Sequence, residues 1–175
     1  MPAMVEAGKY SAVELLQDGR RIEIRSLKPE DREEFVAAVN RTSGQSLHRR
    51  FFAAKRSFTE QEVAFFLNVD FVNHVALIAV LQEGQRPVVG GGRYVVVQPS
   101  KAEVAFVVVD GYQRQGIGAA LMCHIIAIAR EAGIKELAAE VLPENTAMLK
   151  IFKKTGLHLT AKRESQVVHV TLQLV

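Results

Sequence analysis

The chain has 175 residues, of which 49% are hydrophobic and 23% charged, and its formal net charge is +3. That length and balance fit one soluble globular domain, and no apolar run reaches the roughly 18 residues a membrane helix needs. A lone cysteine, Cys123, excludes an internal disulfide.

The opening residues are mixed and include Glu6, so they do not read as a secretory signal, and a reduced, cytoplasmic setting is expected. Positive charge comes in short clusters: His48, Arg49 and Arg50; Lys55 and Arg56; Lys150, Lys153 and Lys154; Lys162 and Arg163. Without a basic tail or nucleic-acid motif, a nucleic-acid partner is not expected. The clusters read either as solvated surface or as attraction for a polyanionic small molecule or an acidic protein face.

No internal repeat or long linker is present, so residues 1–175 read as a single domain with 1–20 as an N-terminal extension or hairpin. Asp18-Gly19 is a turn signal between strand-like runs and leads into a first core strand at 21–27. Pro29-Glu30-Asp31 opens a helix to about Asn40, because proline suits the first turn and acids suit the positive helix end. A further helical stretch spans 46–54. Thr59 followed by Glu62 is a capping-box signature for a helix ending near Asn68. Strands follow at 75–82, 88–97 and 101–109, and their short separations imply antiparallel neighbours. The run Gly90-Gly91-Gly92 reads as a bulge or bend in the middle strand.

Gly111 to Gly118 then form a glycine-rich turn feeding a helix, with Ile117, Leu121, Ile125, Ile128 and Ala132 at helical spacing. Gly133 stops it. A strand at 136–142 precedes a short helix that starts at Asn145 and ends at Gly156. Strands at 157–162 and 167–174 finish the chain, the last with Val168, Val170, Leu172 and Leu174 on one side. The order predicts an α+β, or mixed α/β, domain with helices covering a largely antiparallel sheet of about seven strands.

The turn is the most informative segment. In Gln113-Arg114-Gln115-Gly116-Ile117-Gly118 the glycines let a ligand approach the backbone, and the first helical N–H groups lack internal partners. Such a helix mouth suits a phosphate or diphosphate. A dinucleotide fingerprint is not satisfied, because Leu121 stands where its third glycine or alanine belongs. A P-loop is excluded because no Gly-Lys-Ser/Thr follows.

This hexapeptide resembles the Gln/Arg-x-x-Gly-x-Gly/Ala signature of the GNAT acetyltransferase superfamily. The segment from Asn145 to Gly156 and Leu157 resembles the superfamily's second motif, and both motifs lie in the expected order. The resemblance implies acetyl-CoA as cosubstrate, held in a cleft where the strand at 101–109 splays from that at 136–142. It implies cofactor contacts from Phe106, Val107, Val108 and Val109, from Gln113, Arg114, Gln115, Gly116, Ile117, Gly118 and Ala119, and from Asn145, Met148 and Phe152. Asn145 has a second reading as a plain helix N-cap.

An acceptor amine must lose a proton before it attacks a thioester, so a general base is needed. Glu103 is the candidate. It sits either at an exposed strand end or partly desolvated, and desolvation would raise its pKa. The sequence around it is similar to the base-bearing strand of GNAT lysine acetyltransferases, and Glu140 is the second candidate. Backbone N–H groups near Val107 are expected to stabilise the developing oxyanion. Many GNAT enzymes carry a tyrosine acid where this chain has Phe152; Tyr94, Tyr112 or water are the alternatives. An acyl-cysteine at Cys123 is a remote option, since that residue reads as a buried structural cysteine. The histidines show no metal-ligand spacing, so no metal is expected.

The segments Ser46-Leu-His-Arg-Arg-Phe-Phe52 and Val72-Asn-His-Val-Ala-Leu-Ile-Ala79 resemble the GNAT domain of bacterial protein lysine acetyltransferases. Those enzymes modify acyl-CoA synthetases, which implies a protein lysine acceptor and a stand-alone catalytic domain. A small-amine acceptor and a non-catalytic acyl-CoA sensor are the alternatives.

Overall fold

The computed structural model describes residues 7–40 and 59–175. The expected helix at 46–54, with Arg49, Arg50, Phe51 and Phe52, lies outside them.

Eight strands form one sheet in the order β1-β2-β3-β4-β5-β6-β8-β7. The hairpin signalled by Asp18-Gly19 joins β1 (Ser11–Leu15) to β2 (Arg21–Ser26), and Gly19 takes φ +89° at its tip. β1 is thus an eighth strand beyond the expected seven. A 3-10 turn at Pro29–Asp31 precedes α1 (Arg32–Asn40), so the α-helix proper starts later than its proline. The Thr59–Glu62 capping box forms as the sequence predicts and opens α2 (Glu60–Leu67).

β3 (His74–Leu81), β4 (Val88–Gln98) and β5 (Lys101–Val108) are consecutive antiparallel neighbours. A register shift between Ala79 and Val80 marks a bulge beside the glycine run. Every residue of β3 is buried, because helices cover both faces of the sheet there. On one face α3 (Ile117–Glu131) packs with Ile117, Leu121, Ile125 and Ile128 against Leu77, Val89 and Phe106. On the other, Ala38 of α1 and Val63 and Leu67 of α2 pack on Ala76, Ile78 and Val88. Ala132, expected on the core stripe, caps α3 and is exposed, while Ala129 is buried.

α3 is the crossover between β5 and β6 (Glu136–Val141), which makes theirs the one parallel pair in the sheet. α4 (Thr146–Lys154) follows, then β7 (Leu159–Glu164), two residues later than expected, and β8 (Val167–Gln173). Val168, Val170, Leu172 and Leu174 are all buried, as their alternation requires. No described helix is long and apolar enough to cross a membrane.

Candidate active site

β5 and β6 pair at only three positions: Lys101 with Glu136, Ala102 with Leu137, and Glu103 with Ala138. Past Glu103 the strands follow different partners. β5 stays in its ladder with β4 as far as Val108 opposite Gly90, and β6 stays with β8 as far as Val141 opposite Val168. The two therefore splay apart, as the resemblance to the GNAT superfamily implies.

The gap is an open cleft, walled by residues 104–106 of β5 and 139–141 of β6 and closed by Asn145, Met148 and Phe152. Glu140 is part of its lining. Phe152 is 1% exposed, so it serves the core and the cleft wall together. Asn145 caps α4 by accepting the Met148 amide on its side chain at 3.2 Å. Both readings of Asn145 are thus compatible with one position: it is the cap, and it borders the cleft.

At the C-terminal end of β5 a 3-10 turn, Asp110–Tyr112, leads into the glycine-rich turn. The Gln113 side chain donates to the Val108 carbonyl at 3.0 Å. Arg114 takes φ +64° and Gly116, the N-cap of α3, takes φ +91°. The first amide past this turn to find a carbonyl is that of Ala120, which donates to Gly116 at 3.0 Å. The N–H groups of Arg114, Gln115, Gly116, Ile117, Gly118 and Ala119 bond to no carbonyl of the described residues. They form an anion-ready mouth at the positive end of α3. Gly118 has a packing role as well, because a Cβ there would lie 2.7 Å from the Ile151 side chain.

Val107 and Val108 are partly buried, and neither they nor Val109 line the cleft. The Val109 amide is committed to the Val89 carbonyl at 2.9 Å, and its side chain packs on the α1–α2 face.

Residues paired across a sheet point to the same face. Glu103 therefore shares its face with Val95 of β4 and His74 of β3. Of the two environments expected for Glu103, the exposed strand end is the one observed. His74, by contrast, is 8% exposed. Arg93 has only donors to offer, so it donates to His74 Nε2 at 2.8 Å and the ring carries its proton on Nδ1. Arg93 also donates to the Phe66 carbonyl at 3.1 Å and lies 4.7 Å from the centre of the Phe66 ring. Burial, then the neighbouring guanidinium, pushes the His74 pKa down to about 4. Asp70 accepts the amides of Val72, Asn73 and His74, which holds its carboxyl below the ordinary range.

Glu140 is exposed on the same face as Glu103, with His169 Nδ1 at 3.8 Å. Tyr94 is 1% exposed in the core under α3, where burial raises its pKa, and Tyr112 is half-buried. Neither tyrosine lines the cleft. Cys123 is exposed on the outer side of α3, not buried as the sequence suggested, because the helix turns its other side to the sheet. It too stands away from the cleft lining.

Sequence reasoning missed Arg20. Its guanidinium, at the tip of the β1–β2 hairpin, donates to Gln115 Oε1 in the glycine-rich turn and lies 5.8 Å from the Tyr112 ring centre. No local pattern signals this contact, because 95 positions separate the partners.

A splayed parallel pair, with an anion-ready helix mouth beside it, defines an acyltransferase-type architecture. The chain belongs to the Acetyltransferase (GNAT) family, whose sequence profile matches residues 42–157. An acetyltransferase of Pseudomonas aeruginosa is 33% identical over 138 residues, covering 78% of this chain and 74% of that protein. The acetyltransferase Pat of Mycolicibacterium smegmatis is 33% identical over 144 residues, covering 81% of this chain; the match spans only 42% of Pat. Among solved structures, the GNAT domain of Streptomyces lividans PAT superposes with a TM-score of 0.85 at 34% identity, covering 93% of this chain and 96% of that one.

Proposed function

We propose that this chain transfers the acetyl group of acetyl-CoA to a protein lysine side chain, with Glu103 as general base. The observation that carries the reading is the separation of β5 and β6 immediately after Glu103, which opens a cleft between that carboxylate and the phosphate turn. Likeness to Pat and to the GNAT domain of PAT supports the protein acceptor. The openness of Glu103 to solvent suits a lysine presented from outside.

The residues fit the donor. The amides of residues 114–119 hold its diphosphate, the β6-facing edge of β5 beyond Glu103 offers backbone groups to its pantetheine arm, and Asn145, Met148 and Phe152 close the cleft over that arm. Acetyl-CoA supplies an activated thioester. Glu103 takes a proton from the acceptor ammonium, and the freed amine attacks the carbonyl carbon. The carbon–sulfur bond breaks so that coenzyme A departs as the thiolate, and the new amide nitrogen gives its second proton to solvent. Amides of β5 near Val107 stabilise the charge on the carbonyl oxygen. Water protonates the leaving thiolate, in keeping with Phe152 in the cleft wall and both tyrosines away from it. The resemblance to bacterial protein lysine acetyltransferases in the sequence makes an acyl-CoA synthetase lysine the acceptor in this reading.

The test is acetyl-CoA turnover against a panel of acyl-CoA synthetases and small amines, with wild type and Glu103→Gln. The variant is expected to keep its affinity for acetyl-CoA, to lose most of its rate at neutral pH and to recover partly at high pH. Equal rates at every pH would remove Glu103 from the mechanism. Turnover confined to small amines would remove the protein acceptor.

A further inference from the structure

The phosphate turn has little to hold its shape. Two left-handed residues, Arg114 at φ +64° and Gly116 at φ +91°, fall within three positions. The first carries a side chain that disfavours this conformation. The amides of residues 114–119 find no carbonyl among the described residues, so backbone bonding does not fix them. Support has to come from side chains. Gln113 supplies one tie, to the Val108 carbonyl. A further tie comes from outside the turn, where Arg20 donates to Gln115.

Arg20 is itself fixed. Its Nε donates to Asp18 Oδ2 at 2.7 Å and its amide to Asp18 Oδ1 at 3.0 Å. Its guanidinium rests near the Tyr112 ring, which belongs to the entry of the same turn. The hairpin that carries Arg20 is anchored at its other end. Tyr10 hydrogen-bonds His124 Nδ1 on α3, His124 Nε2 meets Glu14 Oε1 at 2.7 Å, and Leu16 enters the core at 7% exposure. The hairpin therefore grips α3 at His124 and the turn before it at Gln115, spanning the first turns of the helix.

We propose that the N-terminal hairpin is a brace for the phosphate turn, and that Arg20 is a positioning residue that keeps the turn ready for the anionic end of the acyl donor. This rests on the acetyl-CoA reading above. Arg20 acts through shape more than charge, because Asp18 already neutralises it and two of its donor groups are taken. A turn that must be re-formed in every binding event binds more weakly by the fraction of time it is misformed.

The experiment measures acetyl-CoA affinity by calorimetry on the full chain, with steady-state kinetics alongside. Arg20→Ala and Gln115→Ala are each expected to raise the Kd about 10-fold. The double variant is expected to be no worse than either single one. For Arg20→Ala the loss falls on the KM for acetyl-CoA, with kcat kept within about twofold, a split that general loss of structure does not produce. Asp18→Asn carries the decisive sign. A brace loosened by losing Asp18 weakens binding, whereas an Arg20 acting as a bare cation would bind more tightly once its carboxylate partner is gone. Tighter binding in Asp18→Asn, additive losses in the double variant, or an Arg20→Ala chain that binds like wild type each overturn the brace and leave the acetyl-CoA reading intact. A wild-type chain that binds no acetyl-CoA overturns that reading, and the brace with it.

Discussion

Gly92 lies under the ring of Phe106. A Cβ at that position would stand 2.6 Å from Phe106 Cδ1 and 2.8 Å from Cε1, closer than atoms pack. The ring is 4% exposed and forms part of the cleft wall, so it yields only by moving within a filled core or into the cleft. The glycine run thus does more than bend a strand: at Gly92 it makes room for an aromatic ring that shapes the site. Gly92→Ala is expected to cost about 1–3 kcal/mol of stability, read from urea unfolding, and to weaken acetyl-CoA binding at the same time. Gly118→Ala is the comparison. Its contact is equally short, but it meets Ile151 Cδ1, the free end of a flexible side chain, so its stability cost should be smaller. If Gly92→Ala matched wild type in both measurements, the ring would have had space to move and this account of the wall would fail.

At the scale of elements, α4 shows what local sequence reveals and what it leaves out. An asparagine before a helical run is legible as an N-cap, and Asn145 is one. Its place beside the cleft is not legible locally, because the cleft exists only where β5 and β6 follow different neighbours. The turn at 113–118 is readable for the same reason as the cap, since its glycines and its helix are contiguous. Arg20 is not readable, because the chain must fold before it meets Gln115. The two roles of Asn145 separate by substitution. Asn145→Asp keeps an oxygen to accept the Met148 amide, so thermal stability should hold, while Asn145→Ala should lose about 1 kcal/mol. If the amide's N–H₂ also serves the donor, both variants should bind acetyl-CoA several-fold more weakly. Unchanged affinity in Asn145→Asp would reduce the residue to a cap.

Across the whole molecule, the succession of strands and helices follows from turn signals and alternation, and so do the antiparallel neighbours β3, β4 and β5. What depends on the assembled fold is which polar residues end up buried. His74 opens a strand after a loop, and no local pattern marks it as inaccessible. It is enclosed because Phe65 of α2 and Arg93 of β4 converge on it, the Arg93 guanidinium itself lying over the Phe66 ring. This burial couples global stability to pH. In the folded chain His74 stays neutral down to about pH 4, whereas an unfolded histidine takes up its proton near the ordinary value of 6.5. Between those limits the unfolded state binds the extra proton, so stability falls as pH falls. By pH 5 the loss from this group is about 2 kcal/mol relative to pH 7 and above. Asp31 and Asp70 titrate below their ordinary carboxylate range, so their contributions are lost at more acid pH than this window. His74→Gln keeps an acceptor for Arg93 but cannot be protonated. Urea unfolding at pH 7, 6 and 5 should therefore show a steeper decline for wild type than for His74→Gln, the two curves diverging by about 2 kcal/mol at pH 5. Parallel curves would mean that the imidazole is charged in the folded chain, and the Arg93–His74 hydrogen bond as drawn would be wrong.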